Sequence, residues 1–167
     1  MNYFEWFNLP VSFAIDIAVL KKKYFELSKK YHPDFFTQVD DTEKEKVLEF
    51  STLNTNAFNT LNDFNKRLKY VLQIKNVISV DEKFDLPNSF LMEMMDLNEQ
   101  ISDGIALENC KNEIENLETN WFKAIEKILT ASDLNNVSAA DLEQVKLFYF
   151  KKKYVSRLKN QLAEKSK

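Results

Sequence analysis

The sequence predicts an all-α protein, and three observations carry that prediction. Among 167 residues there are one glycine, Gly104, and three prolines, too little turn chemistry for a protein of strands and hairpins. Apolar residues recur every three or four positions over long stretches, which is the period of a helix face. Several of those stretches open on residues that cap helix N-termini: Asp16, Thr42 with Glu45, and Ser138 with Asp141.

The elements follow in order. Tyr3 to Asn8 reads as a short aromatic helix with Phe4 and Phe7 on one face, ended by Leu9-Pro10. From Asp16 a second helix runs to Tyr31, with Leu20, Tyr24, Leu27 and Tyr31 as its apolar stripe. Lys22 and Lys29 fall on the opposite side, Lys21 on the flank and Lys30 towards the other edge. Pro33 disfavours helical dihedrals at His32 and removes a backbone donor, so the helix stops there. Phe35 to Asp41 is expected to be a loop. A long helix then runs from Thr42 to Leu61, with Val47, Phe50, Ala57, Phe58 and Leu61 on its core side. Two such helices joined by a short loop should pack as an antiparallel hairpin. That places Tyr31-His32-Pro33-Asp34 at its tip, exposed beside the lysines. A shorter helix covers Asp63 to Lys75.

Residues 76–86 break the helical pattern and read as a linker between a domain of residues 1–75 and one of residues 87–167. Pro87 suits the first turn of a new helix, and three helical segments follow: Pro87 to Asp103, Glu108 to Ala131 and Ser138 to Glu164. The middle one carries the stripe Ile114, Leu117, Trp121, Ile125 and Ile128. The last carries Leu142, Val145, Phe148, Val155, Leu158 and Leu162, so a three-helix bundle is expected.

Composition narrows the function. Charged residues at 29% and apolar ones at 44% are an ordinary globular balance, and no apolar run reaches membrane-spanning length. One cysteine, Cys110, and one histidine, His32, cannot supply a zinc site or an internal disulfide. With no basic leader or apolar signal core at Met1, a reducing, cytoplasmic setting is expected. The net charge of -3 conceals segregation: lysines crowd residues 16–31, residues 81–118 are acidic, and the chain from Lys146 onward is basic again.

Three chemistries compete for these features. His32 and Asp34 lack a tied nucleophile, so catalysis is not expected. The basic helices could neutralise phosphates, but Arg67 and Arg157 alone are thin material for base readout, leaving a nucleic-acid-binding helical module as the weakest reading. The third concerns the helix after Pro87. Phe90, Met94, Leu97 and Ile101 complete its core stripe, yet Leu91, Met92 and Met95 lie on its other side among Asp96, Glu99 and Asp103. That surplus strip is either a protein-binding patch with an acidic rim or a surface packed against the N-terminal domain.

The run Leu20-Lys21-Lys22-Lys23-Tyr24-Phe25-Glu26-Leu27-Ser28-Lys29-Lys30-Tyr31-His32-Pro33-Asp34 resembles the second helix and loop of J-domains, the modules that bind DnaK-type chaperones and stimulate their ATPase. Leu53-Asn54, Ala57-Phe58 and Leu61 are similar to the third helix of that domain, and Lys66-Arg67 with Tyr70 to its short fourth. The opening Tyr3-Phe4, Phe7 and Leu9-Pro10, together with Phe90-Leu91-Met92-Glu93 and the acidic residues after it, resembles the HscB co-chaperone family of iron–sulfur cluster assembly. The resemblance implies a J-domain joined to a three-helix bundle that binds an IscU-type cluster scaffold and delivers it to a DnaK- or HscA-type chaperone. It implies no catalysis, no cofactor and no metal held by the chain itself. Carried over by position, His32, Pro33, Asp34, Lys21, Lys22, Lys29 and Lys30 meet the chaperone. Leu91, Met92, Met95, Asp96, Glu99, Asp103 and Tyr149 meet the scaffold, which favours the protein-binding reading of the strip. Phe35 departs from the pattern, standing where a lysine is common. A J-protein serving a general DnaK-type chaperone with another client is the alternative.

Overall fold

The computed structural model describes residues 1–36 and 40–166, and among these the regular structure is helical throughout. The helices are α1 (Tyr3–Trp6), α2 (Ile17–Lys30), α3 (Asp41–Asn62), α4 (Phe64–Ile74), α5 (Asn88–Ser102), α6 (Leu107–Leu129) and α7 (Ala139–Lys165), with 3-10 turns at Pro33–Phe36 and Leu134–Asn136. The all-α expectation therefore holds. The chain forms two compact units, Met1–Val71 with Ala131–Leu134, and Leu72–Thr130 with Asn135–Lys167.

In the first unit α2 and α3 pack together, and α1 packs on α3. The pairing sense is legible in the contacts: Tyr31 meets Phe50, Ser28 meets Asn54, and Tyr24 meets Phe58, so the hairpin is antiparallel. Asp16 caps α2 by accepting from the backbone N–H groups of Ala18 and Val19 at 2.8 and 3.2 Å. Two local expectations are corrected. The cap of α3 is Asp40, whose carboxylate accepts the Glu43 N–H at 2.8 Å, rather than Thr42 with Glu45. A carboxylate two residues earlier meets the positive helix end more favourably than a hydroxyl. Likewise α1 ends before Leu9-Pro10. Asn8 takes a left-handed φ of 49°, and the N–H groups of Asn8 and Leu9 close back on the carbonyls of Glu5 and Phe4. Of the loop expected over Phe35–Asp41, Phe35 and Phe36 join the 3-10 turn, while residues 37–39 lie outside the described residues.

The second unit packs α5, α6 and α7 against one another. Phe90, Met94, Leu97 and Ile101 of α5 meet Cys110 and Ile114 of α6 and Val155, Leu158 and Leu162 of α7 in one buried cluster. Ser138 and Asp141 form the expected capping box at the start of α7. Gly104 serves the sharp turn out of α5. At φ 70° it donates to the Ile101 carbonyl, and Ile105 donates to that of Gln100, a left-handed helix stop that glycine enters without steric cost. Residues 77–86 are held along α7 of the same unit. Phe84 stacks on Phe150 at 4.7 Å, and Lys146 binds both the Glu82 carboxylate at 2.5 Å and the Val77 carbonyl at 3.1 Å.

Candidate functional site

The first surface grows out of the hairpin tip. Tyr31 ends α2, its ring against Trp6 and Phe50 at 5.8 and 4.9 Å, which anchors the tip from below. Pro33 then opens the 3-10 turn, which rests on α3. Phe35 N–H donates to the His32 carbonyl at 3.0 Å, and Asp34 N–H donates to His32 Nδ1 at 3.3 Å. An Nδ1 that accepts has no proton of its own, so the neutral ring carries its N–H on Nε2. The Asp34 carboxylate lies 3.7 Å from Nδ1, ready to pair with it once the ring is protonated. His32, Pro33 and Asp34 are all exposed. The tip thus offers one imidazole donor and one carboxylate side by side on the surface.

Lys21, Lys22, Lys29 and Lys30 are exposed along α2. Among the described residues Lys21, Lys22 and Lys29 take part in no ion pair. Lys30 lies over the Tyr31 ring at 5.1 Å. Lys23, by contrast, reaches the Asn8 carbonyl at 3.4 Å and is half-buried, tied to the chain after α1. The cationic face is therefore open to an anionic partner, and Lys23 belongs to the scaffold beneath it.

The second surface lies on α5. Met92 and Met95 are 67% and 64% exposed, on a helix whose other side is fully buried, and Asp96, Glu99 and Asp103 are exposed beside them. Leu91 differs: it is half-buried against the cluster of Phe90 and Met94, so it borders the strip and the core at once. Tyr149 stands half-buried on α7, its ring edge-on to Phe150 at 5.1 Å, and burial holds its phenol above the ordinary pKa. Five of the seven residues thus share one helix, Asp103 is its C-cap, and Tyr149 comes from a helix packed against it.

Part of the basic material is engaged inside the protein, while Lys21, Lys22, Lys29 and Lys30 of α2 and Arg157 stay exposed. Arg67 is buried, its Nε donating to the Phe13 carbonyl at 2.8 Å and Nη1 to that of Leu61 at 2.5 Å. On α7, Lys146 holds Glu82, Lys159 holds Glu118 at 2.9 Å, and Lys151 covers the rings of Phe90 and Trp121 at 5.4 and 5.1 Å. Phe35, which stands where a lysine is common in the family, is 73% exposed, and Phe25, which the sequence analysis did not single out, is 59% exposed. The available signal for Phe25 was its position on the lysine side of an otherwise regular amphipathic helix.

Comparison with known proteins agrees with this two-part geometry. The DnaJ domain family matches residues 2–70, and the HSCB C-terminal oligomerisation domain family matches residues 86–163. The human iron-sulfur cluster co-chaperone protein HscB is 32% identical over 167 residues, covering 96% of this chain and 67% of its own. The chain belongs to the HscB family of co-chaperones. Bacterial HscB homologues from Psychromonas ingrahamii and Paraburkholderia phymatum are 37% and 30% identical, and the matched stretches span 61% and 62% of their lengths. Among solved HscB structures, that of Vibrio cholerae covers 97% of this chain and 99% of its own at 25% identity, with a TM-score of 0.67. The human HscB structure shares the fold at a TM-score of 0.81, with 24% identity over 99% of this chain and 82% of its own. No helix among the described residues is long and apolar enough to cross a membrane.

Proposed function

We propose that this HscB-family chain is a non-catalytic adaptor of iron–sulfur cluster assembly. Residues 1–75 would engage a DnaK- or HscA-type ATPase chaperone through His32, Pro33 and Asp34, with Lys21, Lys22, Lys29 and Lys30 supplying attraction to an acidic surface. Residues 87–167 would hold an IscU-type cluster scaffold through Leu91, Met92, Met95 and Tyr149, with Asp96, Glu99 and Asp103 as rim. The observation that carries this reading is the pairing of an exposed His-Pro-Asp turn with a lysine face on the same hairpin whose Lys21, Lys22 and Lys29 make no ion pair among the described residues. Pro33 fixes one backbone dihedral of the turn in advance, which lowers the ordering entropy lost on binding.

ATP hydrolysis takes place in the partner. The adaptor accelerates it by binding the hydrolysis-competent conformation of the chaperone more tightly than the resting one, which is the only way a ligand can shift such an equilibrium. The proposed setting is the cytoplasm, where the lone thiol of Cys110 stays reduced. The test is single-turnover ATPase of the cognate chaperone with wild type and His32→Gln. Stimulation is expected to fall to the unstimulated rate in the variant while its helical circular dichroism is unchanged. Equal stimulation by both proteins refutes the role of the tip. Affinity capture then separates clients: a cluster scaffold as chief partner supports the assembly role, and a broad mixture supports a general folding factor.

A further inference from the structure

Phe25 stands where charge alone would favour another lysine. It lies one turn after Lys21 and one turn before Lys29 on α2, with Lys22 three residues away on the adjoining flank. Side chains at these spacings are surface neighbours on a helix, so a phenyl ring occupies the middle of the lysine face. The ring touches Tyr24 at 5.4 Å, yet 59% of the residue remains exposed. The core contacts of α2 run through Leu20, Tyr24 and Tyr31 instead. Exposed in this way, the ring adds little to folding and leaves apolar surface in water.

The surroundings say what kind of surface covers it. Lys21, Lys22 and Lys29 make no ion pair among the described residues, so the matching surface supplies anions around its edge. A central aromatic ringed by charge is the arrangement of an interface hot spot, with an apolar centre and a polar rim. We propose that Phe25 is the apolar anchor of the chaperone-binding face. It enters a hydrophobic recess bordered by carboxylates on the ATPase chaperone, a proposal that rests on the function assigned above to the hairpin. The lysines then govern the rate of encounter and its salt dependence, whereas the ring governs how long the complex lasts.

The test titrates the cognate chaperone's ATPase with the full chain at low and at high salt, using wild type, Phe25→Lys, Phe25→Ser and His32→Gln. If the face acts by charge alone, Phe25→Lys tightens the interaction at low salt. If Phe25 is the anchor, both Phe25 variants raise the concentration for half-maximal stimulation by about tenfold or more, at either salt. Their ceiling stays that of wild type, because the His-Pro-Asp turn is intact. Half-maximal concentrations equal to or below wild type in either variant overturn the anchor while leaving the function of the tip in place. Full stimulation by His32→Gln, or none by wild type, removes the function and the anchor together. A wild type that self-associates, with the Phe25 variants monomeric and equally stimulating, assigns the ring to a second copy and also overturns the proposal.

Discussion

Asn54 ties three helices together in the first unit. Its Oδ1 accepts from Trp6 Nε1 at 3.0 Å, and its Nδ2 donates to the Tyr24 carbonyl at 3.1 Å and to Ser28 Oγ at 2.9 Å. It is 1% exposed, so replacement removes several partners at once where water does not readily substitute. Asn54→Ala is expected to cost about 2–3 kcal/mol in urea denaturation, the order seen for stranding buried polar groups. A loss below about 0.5 kcal/mol, within the range of neutral surface changes, would show that the network does not hold the hairpin. Arg67 works in the same way at the end of α3. Its guanidinium caps the Leu61 carbonyl and ties down Phe13, while burial depresses its pKa and nearby Asp63 opposes that shift. The partners of neither residue are visible in the sequence: Asn54 falls at core-stripe spacing between Phe50 and Ala57, but which groups it and Arg67 meet depends on how the helices pack. His-Pro-Asp was legible, because a proline after a helical run dictates where the helix ends.

At the scale of elements, helix periods were read correctly and helix ends less so. Every α5 core position expected from spacing, Phe90, Met94, Leu97 and Ile101, is buried. Ends depend on one or two residues finding a local partner, and Asp40, Asn8 and Asn76 all found one that a motif search passes over. Asn76 repeats the device of Asn8, with a φ of 56° and Val77 N–H closing on the Leu72 carbonyl. The segment before α5 is held to α7 by the ion pair of Glu82 with Lys146, and that pair sets a pH dependence. The hydrogen bond from Lys146, with a second from the Ser79 N–H, holds the Glu82 carboxyl below its ordinary pKa of 4.5. A lowered carboxylate pKa adds stability that is present above 4.5 and lost as pH falls through the lowered value. In thermal melts across this range, Glu82→Gln should be less stable than wild type near neutrality, and the two should converge in acid. A difference that persists unchanged at low pH would assign the effect to packing instead.

For the whole molecule, the proposed assignment of two partners to two surfaces predicts separable losses. Met92→Ala with Met95→Ala should weaken scaffold binding about tenfold or more by calorimetry, since both side chains are exposed and available as contacts. The same protein should stimulate the chaperone normally when no scaffold is present, and His32→Gln should bind scaffold normally. Either variant failing in both assays would mean that the surfaces are not independent. Leu91 is left out of this pair because its half-burial against the core would mix a stability loss with a binding loss.

The sequence by itself determined the helical class, the three- and four-residue stripes that become the cores, and the proline-stopped tip with its lysines. These follow from backbone chemistry and from periodicity, which act within a few residues. Only the tertiary structure decided which polar residues are structural and which are free. Arg67, Lys146, Lys151 and Asn54 are engaged by partners distant in the chain, whereas Lys21, Lys22 and Lys29 form no ion pair among the described residues. It also decided that Leu91 straddles the core while Met92 and Met95 stand clear of it. Burial is a property of how helices meet, and no local pattern of spacing contains it.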